Sequence, residues 1–190
     1  MGAPPGSAEG SGEPRSEPVV ELGPPVSDVP WSPDFVQHSL EVLILALDGR
    51  SVVWLKPAHA DSLHVGLSVP ASPGDVVLEA LGWYDLSPRV VHSTSWRHEG
   101  GRLVLTYVAV VEPPATLSAD SLERTVVART DLARGAATAP PTGIGVDQVI
   151  EHALRHLSWL VRDDAAIAEA IPEWVEILEG YQPEPFRALG

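Results

Sequence analysis

Three histidine-bearing stretches are where this sequence could do chemistry. In PAHADSLHVG, residues His59, Asp61 and His64 form the pattern H-x-D-x-x-H. Imidazole nitrogens and a carboxylate oxygen suit zinc or another divalent ion, provided a fold holds them in fixed geometry. A divalent metal is therefore the one cofactor this pattern admits, and the sequence names none outright. The Ala, Asp and Ser around it equally make a plain turn. In HSTSW, His92 stands beside three hydroxyl residues. Alternate residues of a strand share a face, so His92, Thr94 and Trp96 are expected on one side and Ser93 and Ser95 on the other. His92 then faces no serine, and the chain has no G-x-S-x-G elbow to build a hydrolase triad on. The segment reads as a polar strand face or as the lining of a small-ligand pocket. His152, His156 and Trp159 fall at i, i+4 and i+7 of a helical pattern, a stripe expected beside the apolar face. Such a pair can take a metal; packing or a subunit contact is the favoured reading, since aromatic residues are enriched in interface cores. Arg124, Arg129 and Arg134 either hold an anion or are ordinary surface arginines, and GIGVDQ lacks the Lys-Ser/Thr of a phosphate loop.

The bulk numbers narrow the partners. The formal net charge is −14, and from Asp163 to Glu184 there are seven acids without a Lys or Arg. Such a surface repels phosphate backbones and anionic membranes, so neither nucleic acid nor membrane is expected as a partner. The longest apolar runs, LEVLILAL (40–47) and VLTYVAVV (104–111), are strand-length and far short of the ~20 residues of a membrane helix. The opening MGAPPGSAEGSGEP has neither the basic start nor the apolar core of a secretory signal. With no cysteine in the chain, thiolate nucleophiles, disulfides and Cys-zinc sites are excluded. These features fit a soluble cytoplasmic protein. The preference for Arg over Lys fits a GC-rich bacterial genome.

The elements that must position these residues are legible in outline. Residues 1–30, rich in Pro, Gly, Ser and Glu, cannot bury enough surface to offset chain entropy and are expected to be a disordered tail. Residues 31–190 are expected to form a single α+β domain. LEVLILAL, Asp48-Gly49 and SVVWLK predict a β-hairpin with a type I′ turn, and HVGLSV (64–69) predicts a short third strand. SPGDVVLEALGW (72–83) predicts a short helix over 73–81. Ser72 would be its N-cap, Asp75 would complete a capping box, Pro73 would open it, and Gly82 would close it in the left-handed position. RVVHSTSW, Glu99-Gly100-Gly101 and RLVLTYVAVV predict a second hairpin, with 103–111 central in the sheet. LERTVVART (122–130) reads as an edge strand or a short helix. GVDQVIEHALRHLSWLVRDD (145–164) predicts an amphipathic helix with Val146, Val149, Ile150, Ala153, Leu154, Leu157, Leu160 and Val161 on one face. Asp163-Asp164 would cap a further helical segment that Pro172 interrupts or restarts. The sum is a mixed β-sheet with a short helix after the first hairpin and amphipathic helices at the C-terminal end.

This order of elements, with a short helix ending in LGW, resembles the Nudix hydrolases. Their box runs G-x5-E-x7-R-E-U-x-E-E-x-G-U, where U is bulky and apolar. Laid on EALGW, the resemblance puts Glu79 on the first Glu of the E-E pair, Gly82 and Trp83 on the final Gly-U, and Val77 on the earlier U. Ala80 then stands where the second Glu belongs, Asp75 and Val76 where Arg-Glu belongs, and Asp61 and Leu67 at the opening Gly and first Glu. The family's chemistry needs several carboxylates to hold the divalent ions that activate water and neutralise phosphate charge. The resemblance therefore implies the fold without the metal cluster. The expectation is a small, nucleotide-like ligand or a protein partner in the cleft beside helix 73–81, contacted by Glu79, Trp83, His92, Trp96 and Tyr107. Two alternatives from other classes stand beside it. One is a metal-dependent hydrolase using His59, Asp61 and His64; the other is a homodimer joined through the C-terminal helices.

Overall fold

The computed structural model describes residues 37–68, 70–99, 102–113, 121–130 and 144–183, all within the unit Pro33–Gly190. The tail expected over 1–30, Gly100-Gly101 of the second turn, and Arg134 lie outside the described residues.

The apolar run LEVLILAL becomes the inner strand of the sheet, β1 (Gln37–Asp48), which turns back into β2 (Ser51–Pro57). Asp48 pairs with Ser51, and the positive φ falls on Gly49 alone, at +60°. Gly49-Arg50 is therefore the loop, in the type II′ pattern with glycine first, rather than the expected Asp48-Gly49 in type I′. Next come β3 (Leu63–Leu67), α1 (Pro73–Gly82), β4 (Pro88–Glu99), β5 (Arg102–Val111), β6 (Leu122–Val126), α2 (Val146–Asp163), α3 (Ala165–Ala170) and α4 (Pro172–Leu178). The strand order is β4-β5-β1-β2-β6, with β3 pairing the first half of β1. β1 and β5 run parallel and the other pairs are antiparallel, so the sheet is mixed. β6 is an edge strand, which settles the open reading of LERTVVART.

Because side chains alternate along a strand, β1 feeds two cores. Leu43 and Leu45 pack with Val108, Val110 and the apolar stripe of α2, together with Ile171, Trp174 and Leu178. Leu40, Val42, Ile44 and Ala46 pack on the other side with Val77, Ala80 and Leu81 of α1. The fold is thus three layers, with α1 on one face of the sheet and α2–α4 on the other. Both faces are covered, and this is why the central strands are apolar without alternation. The C-terminal helices join as the sequence suggested. Asp164 Oδ1 accepts from Ala166 N–H at 2.8 Å to cap α3, and Pro172 opens α4. Ser158 Oγ ties α2 to the end of α4 by donating to Leu178 O at 2.9 Å.

Helix α1 ends differently from the expectation. Ser72 precedes it but makes no side-chain cap. Gly82 sits inside the last turn with ordinary φ, and the left-handed residue is Asp85, at φ 54°. Asp85 N–H donates to Gly82 O and Leu86 N–H to Leu81 O, the paired bonds of a Schellman ending, with Leu86 and Leu81 both buried. An added Cβ at Gly82 would meet nothing within 4 Å. Gly82→Ala is therefore expected to stabilise the domain by about 0.5–1 kcal/mol, because alanine lowers unfolded-chain entropy and favours helix. An unchanged or lower urea midpoint would show that this turn needs glycine.

Candidate functional site

A row of polar side chains crosses the α2-bearing face of the sheet. Register sets His64 of β3, Glu41 of β1, Thr106 of β5 and Ser95 of β4 side by side. Glu41 is 2% exposed, yet it lies inside the most apolar strand. Its Oε2 accepts from Arg97 Nη1 at 2.7 Å and from Thr106 Oγ1 at 3.3 Å, and its Oε1 from Ser62 Oγ at 3.3 Å. His64 Nε2 stands 3.7 Å from Oε1. Burial acts to lower the Arg97 pKa, but the hydrogen bond and charge of Glu41, with help from Glu99, outweigh it and hold the guanidinium above its ordinary range. Among these groups the charges are satisfied internally.

Further along the same face, β4 meets α2 through histidines. His92, in register with Val108, reaches His156 Nε2 with its own Nε2 at 3.1 Å. The ring planes lie 22° from parallel with centroids 5.1 Å apart, and one Nε2 must donate while the other accepts. His156 is 2% exposed and has Trp159 at 5.6 Å. It therefore belongs to the core side of α2 and not to a stripe beside it. His152, one turn earlier, places Nε2 3.3 Å from Thr94 O. Burial lowers the pKa of His92.

The expected grouping of His92, Thr94 and Trp96 on one strand face does not hold. The β4–β5 register slips between Ser93 and Ser95, and this bulge reverses the alternation. Trp96 then pairs with Leu105, whose side chain packs in the α1-side core together with Tyr107. Trp96 and Tyr107 thus belong to the α1 side, and His92 to the α2 side. On α1, Glu79 is exposed and Trp83 is 60% exposed. His59 and Asp61 are exposed in the β2–β3 connection, while His64 turns to Glu41. The structure does not bring these last three together. Among the described residues, no group of three or more His, Cys, Asp or Glu side chains is placed to hold a metal ion. Of the three spaced arginines, Arg124 and Arg129 lie among the described residues and both are taken by carboxylates. Arg124 bonds Asp48, and Arg129 bonds Glu151.

No family model matches the chain, and no curated protein matches it in sequence. Solved structures do match. NrtR of Shewanella oneidensis, one of the Nudix/MutT proteins, superposes with TM-score 0.52 at 13% identity over 80% of each chain. A MutT/nudix family protein from Enterococcus faecalis gives 0.49 at 10% identity, over 72% of this chain and 68% of that one. The fold is Nudix-like. At 13% identity the likeness is one of fold alone, so the site has to be read from this chain's own residues. Helix α1 is the segment on which the sequence resemblance lays the box. Ala80, at the second-Glu position, is fully buried among Val77, Leu81 and the even-numbered residues of β1. Val76, at the preceding Glu position, packs against the same core. Glu79 and Asp75, one helical turn apart, are the carboxylates α1 presents to solvent.

The sequence reading passed over Glu41, Glu151 and the facing of His92 to His156. Two of these left a signal. An acid inside LEVLILAL, and an acid following Ile150 in the buried stripe of α2, must each find a partner if the strand or helix is buried.

Proposed function

We propose that this chain is a Nudix-like domain that binds a small, nucleotide-like ligand on the α1 side of its sheet and does not carry out the family's metal-dependent hydrolysis. The observation that carries the reading is the burial of Ala80. A carboxylate at that position would have to sit in an apolar core, so the second Glu of the box has no place to stand. What α1's side of the sheet offers instead is aromatic surface. Trp83 and Trp96 are 60% and 54% exposed, and Tyr107 is half-buried beside Leu105. Flat heterocycles stack on such rings, and Glu79 can accept from a ligand N–H or O–H. His92 is not part of this site, since it serves the other face. The chain's charge of −14 favours recognition through the base over recognition through phosphates.

A protein partner is the second reading, favoured by Leu78, which is 50% exposed on the same short helix as Trp83. A thermal-shift panel of nucleotides, nucleotide sugars and dinucleotides, run in chelator and in magnesium, separates the two. A ligand at a hundred times its dissociation constant is expected to add about 2.7 kcal/mol, with or without metal. Trp96→Ala is expected to abolish that shift. Shifts that require magnesium, together with turnover of a nucleoside diphosphate compound, would overturn the proposal. A panel without any shift would leave the protein-partner reading in its place.

A further inference from the structure

The His92–His156 contact joins elements that are 64 residues apart in sequence, at the edge of the sheet. We propose that this pair is a proton-operated latch between α2 and edge strand β4, held closed while the two rings share one proton at Nε2 and opened when each ring carries its own. The contact dictates this behaviour. In the neutral pair one Nε2–H donates and the other Nε2 accepts. A first added proton leaves that bond intact, because it goes to Nδ1 of the donor ring, the acceptor ring's Nδ1 already carrying a hydrogen. A second gives two Nε2–H groups facing each other at 3.1 Å, with like charge on both rings and one ring almost fully buried. Neither ring can then keep the contact.

The surroundings make the response local. From β4, Arg89 lies three residues before His92 and is held by Glu112 and by Glu173 of α4. From α2, Arg155 adjoins His156 and is bonded to Glu151. His152 spans the same seam one turn away through Thr94 O, at the bulge. The edge strand has a hydrogen-bonded neighbour on one side, β5, so β4 depends on α2 more than an inner strand would. Burial lowers the pKa of His92, which fixes the sign. The latch is fully closed above the ordinary histidine value of about 6.5 and is lost progressively as pH falls below it, because the open form binds more protons.

The test is an NMR titration of the histidine rings from pH 8 to 4.5, with amide exchange protection, corrected for intrinsic rates, measured across the same range. The expected result is that His92 and His156 titrate together below 6.5, as a coupled pair. Protection over Thr94 and His152–Trp159 should fall by up to about tenfold per pH unit while that of α1 holds. In His92→Gln, an amide can still bond His156, and the pH dependence of that protection is expected to vanish. The latch is refuted if the two rings titrate independently at the ordinary value. It is equally refuted if protection falls alike in α1 and at the seam. The wild-type titration decides the matter even if the variant does not fold.

Discussion

Glu151→Ala is expected to lower the unfolding free energy by about 3–5 kcal/mol, the usual result of removing one member of a buried ion pair. Its side chain has no exposed surface. Oε1 accepts from Arg155 Nε at 2.9 Å and from Arg129 Nη2 at 3.0 Å, and Oε2 accepts from Arg129 Nε at 3.1 Å. Arg129 also donates to Gly180 O and lies 3.9 Å above the Tyr181 ring. One carboxylate thus joins α2, the segment after β6 and the chain after α4. Burial raises the Tyr181 pKa; the Arg129 charge opposes that rise and Glu151 adds to it. Without Glu151, two guanidinium groups face each other across the gap. Arg129 is half exposed and can turn to water. This places the loss at the lower end of the range. Urea unfolding of Glu151→Ala is the check, and a loss below about 1 kcal/mol would mean that the cluster behaves like a surface pair.

Glu41→Ala is expected to cost a similar amount, about 3 kcal/mol, for a related reason. Arg97, with its side chain 19% exposed, keeps Glu99 as a partner but loses the acceptor at 2.7 Å, and Thr106 and Ser62 lose theirs as well. The informative variant is the double one. Replacing both Glu41 and Arg97 with leucine removes the buried charges together and should be far milder than Glu41→Ala, since an apolar pair of similar volume commonly substitutes for a buried ion pair. A double-mutant cycle through the alanine variants should give a coupling above about 1 kcal/mol. Additive losses would show that Glu41 and Arg97 contribute separately.

These two carboxylates mark where reading the sequence stopped. Local periodicity was enough for the hairpins, for α1, for α2 and for the restart at Pro172, because each depends on neighbours within a few residues. It also led to the Nudix-like arrangement, through the element order and the end of α1. Register was out of reach. Nothing local says that Glu41 lies level with His64 and Thr106, or that Arg97, 56 residues away, closes the pair. The bulge at Ser93–Ser95 carries no glycine or proline to announce it, and it moves Trp96 to the opposite face from His92. Gly82 looked like the end of α1, yet Asp85 takes the left-handed position, which Asp tolerates better than most residues. His156 looked like part of a stripe beside the apolar face until its partner was placed: with β4 at one edge of the sheet and α2 lying across it, the ring is enclosed.

Binding without hydrolysis is open to one calorimetric experiment. The protein is titrated with the nucleotide that shifts its melting most, in chelator and then in magnesium. The same single-site isotherm is expected in both, with the heat returning to baseline after every injection, and no isotherm for Trp96→Ala. A steady heat of turnover that begins with magnesium and scales with enzyme would contradict it, because the burial of Ala80 would then not have removed the chemistry that the fold supports elsewhere.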